Sequence, residues 1–324
     1  MNIEIFDWHP INIVRSVIGL ADQRSICRIM DLRSLGCFVA VAEELHFRRA
    51  AARLNMTQPS LTARIQGLER EVGVKLFDRD RRGVRLTDPG LAFLDHARSA
   101  VVSGKEAMAN ARRASRGEIG RLRFGFTGLT SYAGMPELVQ RFKRAYPAVG
   151  IDLIQTSTTE LEIALLKDEL DIALLHPPVS RTGLTLRELE ADPLIVALPT
   201  SHRLAKLSAV PLESLAEEPF LICPRSSGPY LYDQIILACQ QAGFSPSVVQ
   251  EVSFMTGLIA LVAAGIGCGL VTRSLQVIQR PGVTFRPLAG KQRLKLVTAL
   301  AWRDSELSPV AQRMLEVTKG RGPR

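Results

Sequence analysis

Phe-Arg-Arg-Ala-Ala-Ala-Arg-Leu-Asn-Met-Thr-Gln-Pro-Ser-Leu-Thr-Ala-Arg-Ile-Gln-Gly-Leu-Glu-Arg-Glu-Val, residues 47–72, decides how the N-terminal part of this chain folds. It predicts a short helix, a tight turn at Asn55 and Met56, and a second helix opening at Thr57. Thr57 is a hydroxyl cap, Pro59 falls in the first turn where N–H groups lack helical partners, and Gly73 is the stop. At about 100° per residue, Leu61, Ile65, Leu68 and Val72 share one apolar stripe, expected to face a core. Pro59, Ser60, Thr62, Ala63, Gln66 and Arg70 share the other side. They are mostly slim and polar, with no cluster of acids. Such a face suits a helix that enters a DNA major groove; an ordinary solvated helical hairpin fits the same pattern.

On the N-terminal side, Asp31 caps a helix to Glu44 in which Leu32, Leu35, Phe38, Val39 and Ala42 recur at helical spacing. Its apolar face is expected on Ala50, Ala51 and Leu54, which makes a three-helix helix-turn-helix core. Residues 75–87 then predict two short strands about a basic turn at Arg81 to Gly83. That is a wing whose arginines reach phosphates or a minor groove, or else a merely solvated hairpin. Asp88 as cap and Pro89 in the first turn open a helix running to about Ser115. Phe93, Ala97, Ala100, Gly104, Ala107 and Ala111 follow the rhythm of a coiled-coil seam, for dimerisation or for packing on the same chain. Residues 116–120 predict a hinge. Residues 1–29 mix Asp7 and Arg15 among apolar residues without a signal-peptide pattern, and are expected to be a disordered extension or a translation-start artefact. A native mass that includes Met1 would refute the artefact.

From Arg121 the pattern alternates strands (122–126, 151–155, 171–175, 194–198, 220–223, 270–272) with helices (136–145, 159–167, 232–242, 257–264), an α/β region with mostly parallel sheets. Ligands in such folds sit beyond the carboxyl ends of strands. Thr127 to Ser131 and Arg225 to Tyr230 are the loops at those positions, and Thr158, which opens a helix after the second strand, is placed to join them. Plain turn chemistry is the alternative for each. Gly265, Gly267 and Gly269 follow a helix and precede a strand, the reverse of a dinucleotide fingerprint, so they predict a helix end and a close backbone approach.

The chain has 324 residues and a net charge of +9, which favours an anionic partner such as nucleic acid. Its five cysteines and five histidines are scattered without metal-ligand spacing, so neither a metal, a cofactor nor a disulfide framework is expected, and a reducing cytoplasm is the default. No hydrolase elbow, catalytic triad or phosphate-loop sequence occurs.

From Met30 the chain resembles the LysR-type transcriptional regulators. The residues that carry this are Phe38-Val39-Ala40-Val41-Ala42-Glu43, residues 47–54, Thr57-Gln58-Pro59-Ser60-Leu61-Thr62, residues 68–73, Leu76-Phe77-Asp78-Arg79 and Leu86-Thr87-Asp88-Pro89-Gly90. Ala145-Tyr146-Pro147, Asp171-Ile172-Ala173 and residues 262–267 continue it. The resemblance implies a winged helix-turn-helix over residues 30–88, a linker and dimerisation helix over 89–116, and a periplasmic-binding-protein-like effector domain over 117–320. That domain would have two α/β subdomains, about 121–193 with 290–320 and about 194–289. It implies DNA contacts at Gln58, Pro59, Ser60, Thr62, Arg64, Arg79 and Arg82. It implies effector contacts at Thr130, Ser131, Thr158, Ser227, Pro229 and Tyr230. The expected partners are promoter DNA, a small carboxylate effector (aromatic ones included), further copies as a dimer or a tetramer, and RNA polymerase. An enzyme or ligand carrier using the α/β cleft, with the helical domain as a docking module, is the competing reading.

Overall fold

The computed structural model describes residues 31–80, 83–290, 294–305 and 307–318. The extension at residues 1–29 and the wing tip at Arg81 and Arg82 lie outside them. The described chain forms two compact units, divided between Ala111 and Arg112.

In the first unit, helices α1 (Leu32–Glu44), α2 (Phe47–Arg53) and α3 (Gln58–Val72) start and stop where local chemistry dictates. Asp31 accepts from the Ser34 N–H at the start of α1, and those hydrogen bonds, with Arg64 nearby, hold its carboxyl below the usual range. Thr57 accepts from Ser60 at 3.4 Å at the start of α3. Gly73 ends α3 in the left-handed region at φ 82°, as its position predicts. Leu61, Ile65 and Leu68 are buried against Phe38, Val41, Ala50 and Ala51. Val72, the fourth member of the expected stripe, is 36 % exposed. It sits on the last turn, next to the Gly73 stop, where cover is incomplete.

Strands β1 (Phe77–Asp80) and β2 (Gly83–Leu86) pair antiparallel, with Phe77 opposite Leu86. Helix α4 (Asp88–Ser115) is capped one residue earlier than expected. Thr87, not Asp88, accepts from the Gly90 N–H at 3.0 Å, and its hydroxyl also donates to the Lys75 carbonyl at 2.8 Å. That second bond ties the cap to the base of the wing, which Asp88 cannot do. Thr87→Ala should lower stability by about 1 kcal/mol, read as a shift in denaturant midpoint; an unchanged midpoint would make the cap incidental. Gly90 is required here, because a Cβ would fall 2.1 Å from the Leu76 carbonyl oxygen. The expected seam is partly used within the chain. Phe93, Ala97 and Ala100 pack on the helix-turn-helix core, and the missing Cβ of Gly104 makes room for Leu32. Ala107 and Ala111 remain exposed on this chain, as does Met108.

Besides a separate two-stranded sheet, the second unit is built on a sheet of seven strands. Its strands are β3 (Gly120–Phe126), β4 (Val149–Gln155), β5 (Ile172–Leu175) and the long β6 (Leu184–Pro199), with β9, β10 and β11 defined below. Helices α5 (Met135–Ala145) and α6 (Thr158–Leu166) cover opposite faces, because successive residues of β5 point to opposite sides. Ile172 and Leu174 pack with Leu138 and Phe142, whereas Ala173 and Leu175 pack with Leu161 and Leu165. Further along come β7 (Pro219–Ile222), α7 (Pro229–Gln241), β8 (Ser247–Glu251), α8 (Met255–Ala263), β9 (Gly269–Thr272), β10 (Val283–Pro287), β11 (Lys295–Arg303) and α9 (Pro309–Thr318). The strand order is β10-β6-β11-β5-β3-β4, with β9 also on β6.

The expected mostly parallel sheet is corrected. β3 runs parallel to β4 and β5, and β7 to β8, but β11 and β6 pair antiparallel with their neighbours. β6 is also far longer than the apolar run 194–198. Residues 184–193 pair with β11, and from Leu194 the strand pairs with β9 and β10, so it threads three separate hydrophobic cores. The glycine run behaves as expected. α8 ends before Gly265, and a Cβ at Gly267 would fall 2.5 Å from the Pro219 carbonyl oxygen.

Candidate functional site

On the first unit, Gln58, Pro59 and Ser60 form the exposed opening turn of α3, and Thr62 is half-buried beside them. Pro59 holds this turn without needing an N–H partner, and Thr57 satisfies Ser60, so the polar side chains are presented on a rigid helix start. Arg64, half-buried on the flank of α3, lies 3.3 Å from Asp31 at the start of α1. Arg79 stacks over the Phe47 ring at 4.3 Å and lies 3.8 Å from Glu69. Glu69 in turn accepts the Leu76 and Phe77 N–H groups at 2.9 and 3.1 Å. Arg79 therefore helps hold the wing against α2 and α3, a structural task that its place in the sequence does not reveal. Arg82 lies outside the described residues.

In the second unit the ends of β3, β4, β5 and β7 and the starts of α6, α7 and α8 surround a cavity of about 700 Å³. Ser131, Thr158, Ser227, Pro229 and Tyr230 line it, from segments far apart in sequence. Thr130 does not. It is fully buried, and its hydroxyl donates to the Thr127 carbonyl at 2.8 Å, which closes the turn. Leu129 takes a place in the lining next to Ser131.

Several lining residues were invisible to motif reading. Glu162 is buried and accepts from the Ser180 N–H and hydroxyl at 3.1 and 2.8 Å and from the Arg181 N–H at 3.1 Å. His176 contacts Thr127 Oγ1 at 3.1 Å and the Val297 carbonyl at 3.0 Å, and burial lowers its pKa. Cys223 also lines the cavity, but burial pushes its thiol up to about 12, which leaves it inert. The described lining contains Glu160, Glu162 and Asp233 but no lysine or arginine.

The helix starts differ. α6 is filled by its own capping box, in which Ser157 accepts from Glu160 N–H while the Glu160 carboxylate accepts from Ser157 N–H. α7 and α8 open on Gly228 and Phe254 with no side-chain cap, and both starts line the cavity. Pro229 carries no N–H, so α7 offers its N–H groups from Tyr230 onward, and these together with the first N–H groups of α8 are open to an anion. Among the described residues no group of three His, Cys, Asp or Glu side chains is placed to hold a metal ion, and no helix is long and apolar enough to cross a membrane.

Residues 32–91 match the family model described as "Bacterial regulatory helix-turn-helix protein, lysR family", and residues 115–322 match "LysR substrate binding domain". The chain is 38 % identical to the HTH-type transcriptional regulator AlsR of Bacillus subtilis (strain 168) over 89 % of its own length and 95 % of the relative's. It is 37 % identical to the HTH-type transcriptional regulator XapR of Escherichia coli (strain K12), over 88 % and 96 %. Among solved structures, CbnR, a LysR family transcriptional regulator, superposes with a TM-score of 0.83 at 27 % identity, covering 90 % of this chain and 100 % of that one. Full-length CbnR complexed with its target DNA gives 0.80 at 26 % identity, covering 90 % and 99 %.

Proposed function

We propose, for a chain that belongs to the LysR family of DNA-binding transcriptional regulators, that the exposed opening turn of α3 reads an operator while a small carboxylate in the cleft sets the regulatory state. The chain is a regulator and not an enzyme: the relatives it matches over nearly their whole length are transcriptional regulators. Gln58, Pro59, Ser60 and Thr62 are the base-reading set, in keeping with their exposure on a capped helix start. Residues 30–88 form the DNA-binding domain, 89–116 the linker and dimerisation helix, and 117–320 the effector domain. The exposed Ala107, Met108 and Ala111 are the seam through which two copies pair, and two such pairs make the working tetramer. Promoter DNA, the effector and RNA polymerase are its partners in the cytoplasm.

The observation that supports a carboxylate is the pair of uncapped helix starts, α7 and α8, on one cavity. Free N–H groups and helix dipoles favour an anion there without a cationic side chain. A gel shift on the DNA beside this protein's own gene, at stated salt and with a panel of small carboxylates, tests both halves. A specific shift altered by one acid is expected. A specific shift that no acid alters would remove the carboxylate, and no specific binding there or in genome-wide site selection would remove the regulator's operator assignment.

The two wing arginines should separate. Arg82→Ala should weaken binding to all sequences and reduce the slope of log affinity against log salt by about 1. Arg79→Ala should lower the stability of the first unit and leave that slope nearly unchanged, because the Arg79 guanidinium is committed to Phe47 and Glu69. Equal slope changes in both variants would place Arg79 on a phosphate instead.

A further inference from the structure

One wall of the cleft has its hydroxyl protons already committed. The Nδ1 atom of His176 lies 3.0 Å from the Val297 carbonyl, which only accepts, so Nδ1 carries a proton. Burial favours the neutral ring, so Nε2 is an acceptor. Its partner at 3.1 Å is Thr127 Oγ1, which therefore donates its one proton to the imidazole. Thr127 is 7 % exposed and lines the cavity, to which its hydroxyl offers lone pairs only. Its neighbours repeat the pattern. Ser131 donates to the Gly128 carbonyl at 2.6 Å, Ser180 donates to Glu162 at 2.8 Å, and Thr156 donates to Glu160. The carboxylates of Glu160 and Glu162 add further acceptors. This wall calls for donors, while the starts of α7 and α8 offer N–H groups.

We propose that the effector is a hydroxylated acid, whose carboxylate meets the starts of α7 and α8 and whose hydroxyl donates to Thr127 Oγ1. This rests on the reading of the cleft as the carboxylate effector site. His176 is a positioning residue: it fixes which way the Thr127 hydroxyl points and so turns that group into an acceptor. A plain acid has no proton to give and would leave the lone pairs of the nearly buried Thr127 hydroxyl unpaired, which weakens its binding. A site built to bond a hydroxyl rejects the analogue that lacks it far more strongly than an apolar pocket rejects a missing methylene.

The test uses the full chain and matched probes: lactate against propionate, 3-hydroxybenzoate against benzoate, and 1,2-propanediol as the hydroxyl without the acid. Calorimetric titration should give the hydroxylated member of at least one pair about tenfold tighter binding than its partner. Thr127→Val should erase that advantage without weakening the deoxy acid, and Thr127→Ser should restore it. His176→Phe, which frees the Thr127 proton, should shrink it, with a melting temperature reporting that each variant is folded. Equal or weaker binding of every hydroxy acid overturns the inference, and so does a hydroxyl advantage that survives Thr127→Val. A diol that binds as tightly as its acid, with the same dependence on Thr127, upholds the donor and removes the carboxylate. No binding by any probe at millimolar concentration overturns both.

Discussion

Phe38→Ala should destabilise the first unit by about 3–5 kcal/mol, the cost of removing a large buried ring whose space cannot collapse. Phe38 is fully buried, 5.2 Å from the Phe77 ring and 5.1 Å from the Phe93 ring. It thereby joins α1 to the wing and to α4, and Phe77 continues the chain of rings to Phe47 at 6.0 Å. No other side chain on α1 ties as many elements together through aromatic contacts. The second unit is built on hydrophobic cores of its own. In denaturant, one transition should move to much lower concentration while the other keeps its midpoint. A loss below about 1 kcal/mol would mean that the cavity refills and that the ring cluster is not what holds the unit together.

Gln58→Ala should reduce operator preference by about 1–3 kcal/mol, roughly 5- to 150-fold, while leaving binding to unrelated DNA unchanged. A glutamine amide gives and takes a hydrogen bond in one plane, which matches the edge of a base. Gln58 is the first residue of α3, exposed, with Pro59 and the Thr57 cap restraining the backbone beneath it. Its loss removes recognition and not fold, so the melting temperature should stay within a degree or two of the parent's. Competition between operator and random DNA at one salt concentration measures this. Equal loss on both DNAs would assign Gln58 to a phosphate, and no loss on either would move the reading surface elsewhere.

Much of the first unit was legible because its signals are short-range. Asp31, Thr57 and Gly73 act within three or four residues of themselves, and the burial of Leu61, Ile65 and Leu68 follows from helical period. The misreadings came from partners further off. Thr87 displaces Asp88 as a cap because its hydroxyl also reaches the Lys75 carbonyl. Val72 fits the stripe by angle, yet on the last turn it stays partly exposed. Gly104 looks like a seam residue and instead admits Leu32. In the second unit, Glu188, Glu190 and Asp192 hid the first half of β6, since a half-buried strand with acids on it does not stand out by hydropathy.

Residue order alone was enough for the helix-turn-helix with its caps, the existence of a wing, the α/β character of the remainder and the loops that line the cavity. Those features follow from periodicity and from turn chemistry within a few residues. The strand directions, the thread of β6 through three cores, the structural engagement of Arg79 and the exclusion of Thr130 from the cleft came from tertiary contacts. The tertiary structure alone brought His176 to the Val297 carbonyl, 121 residues away, and to the Thr127 hydroxyl, the two contacts on which the proposed direction of that hydroxyl rests. A hydrogen bond's direction depends on both partners, and those partners meet only when the sheet has paired.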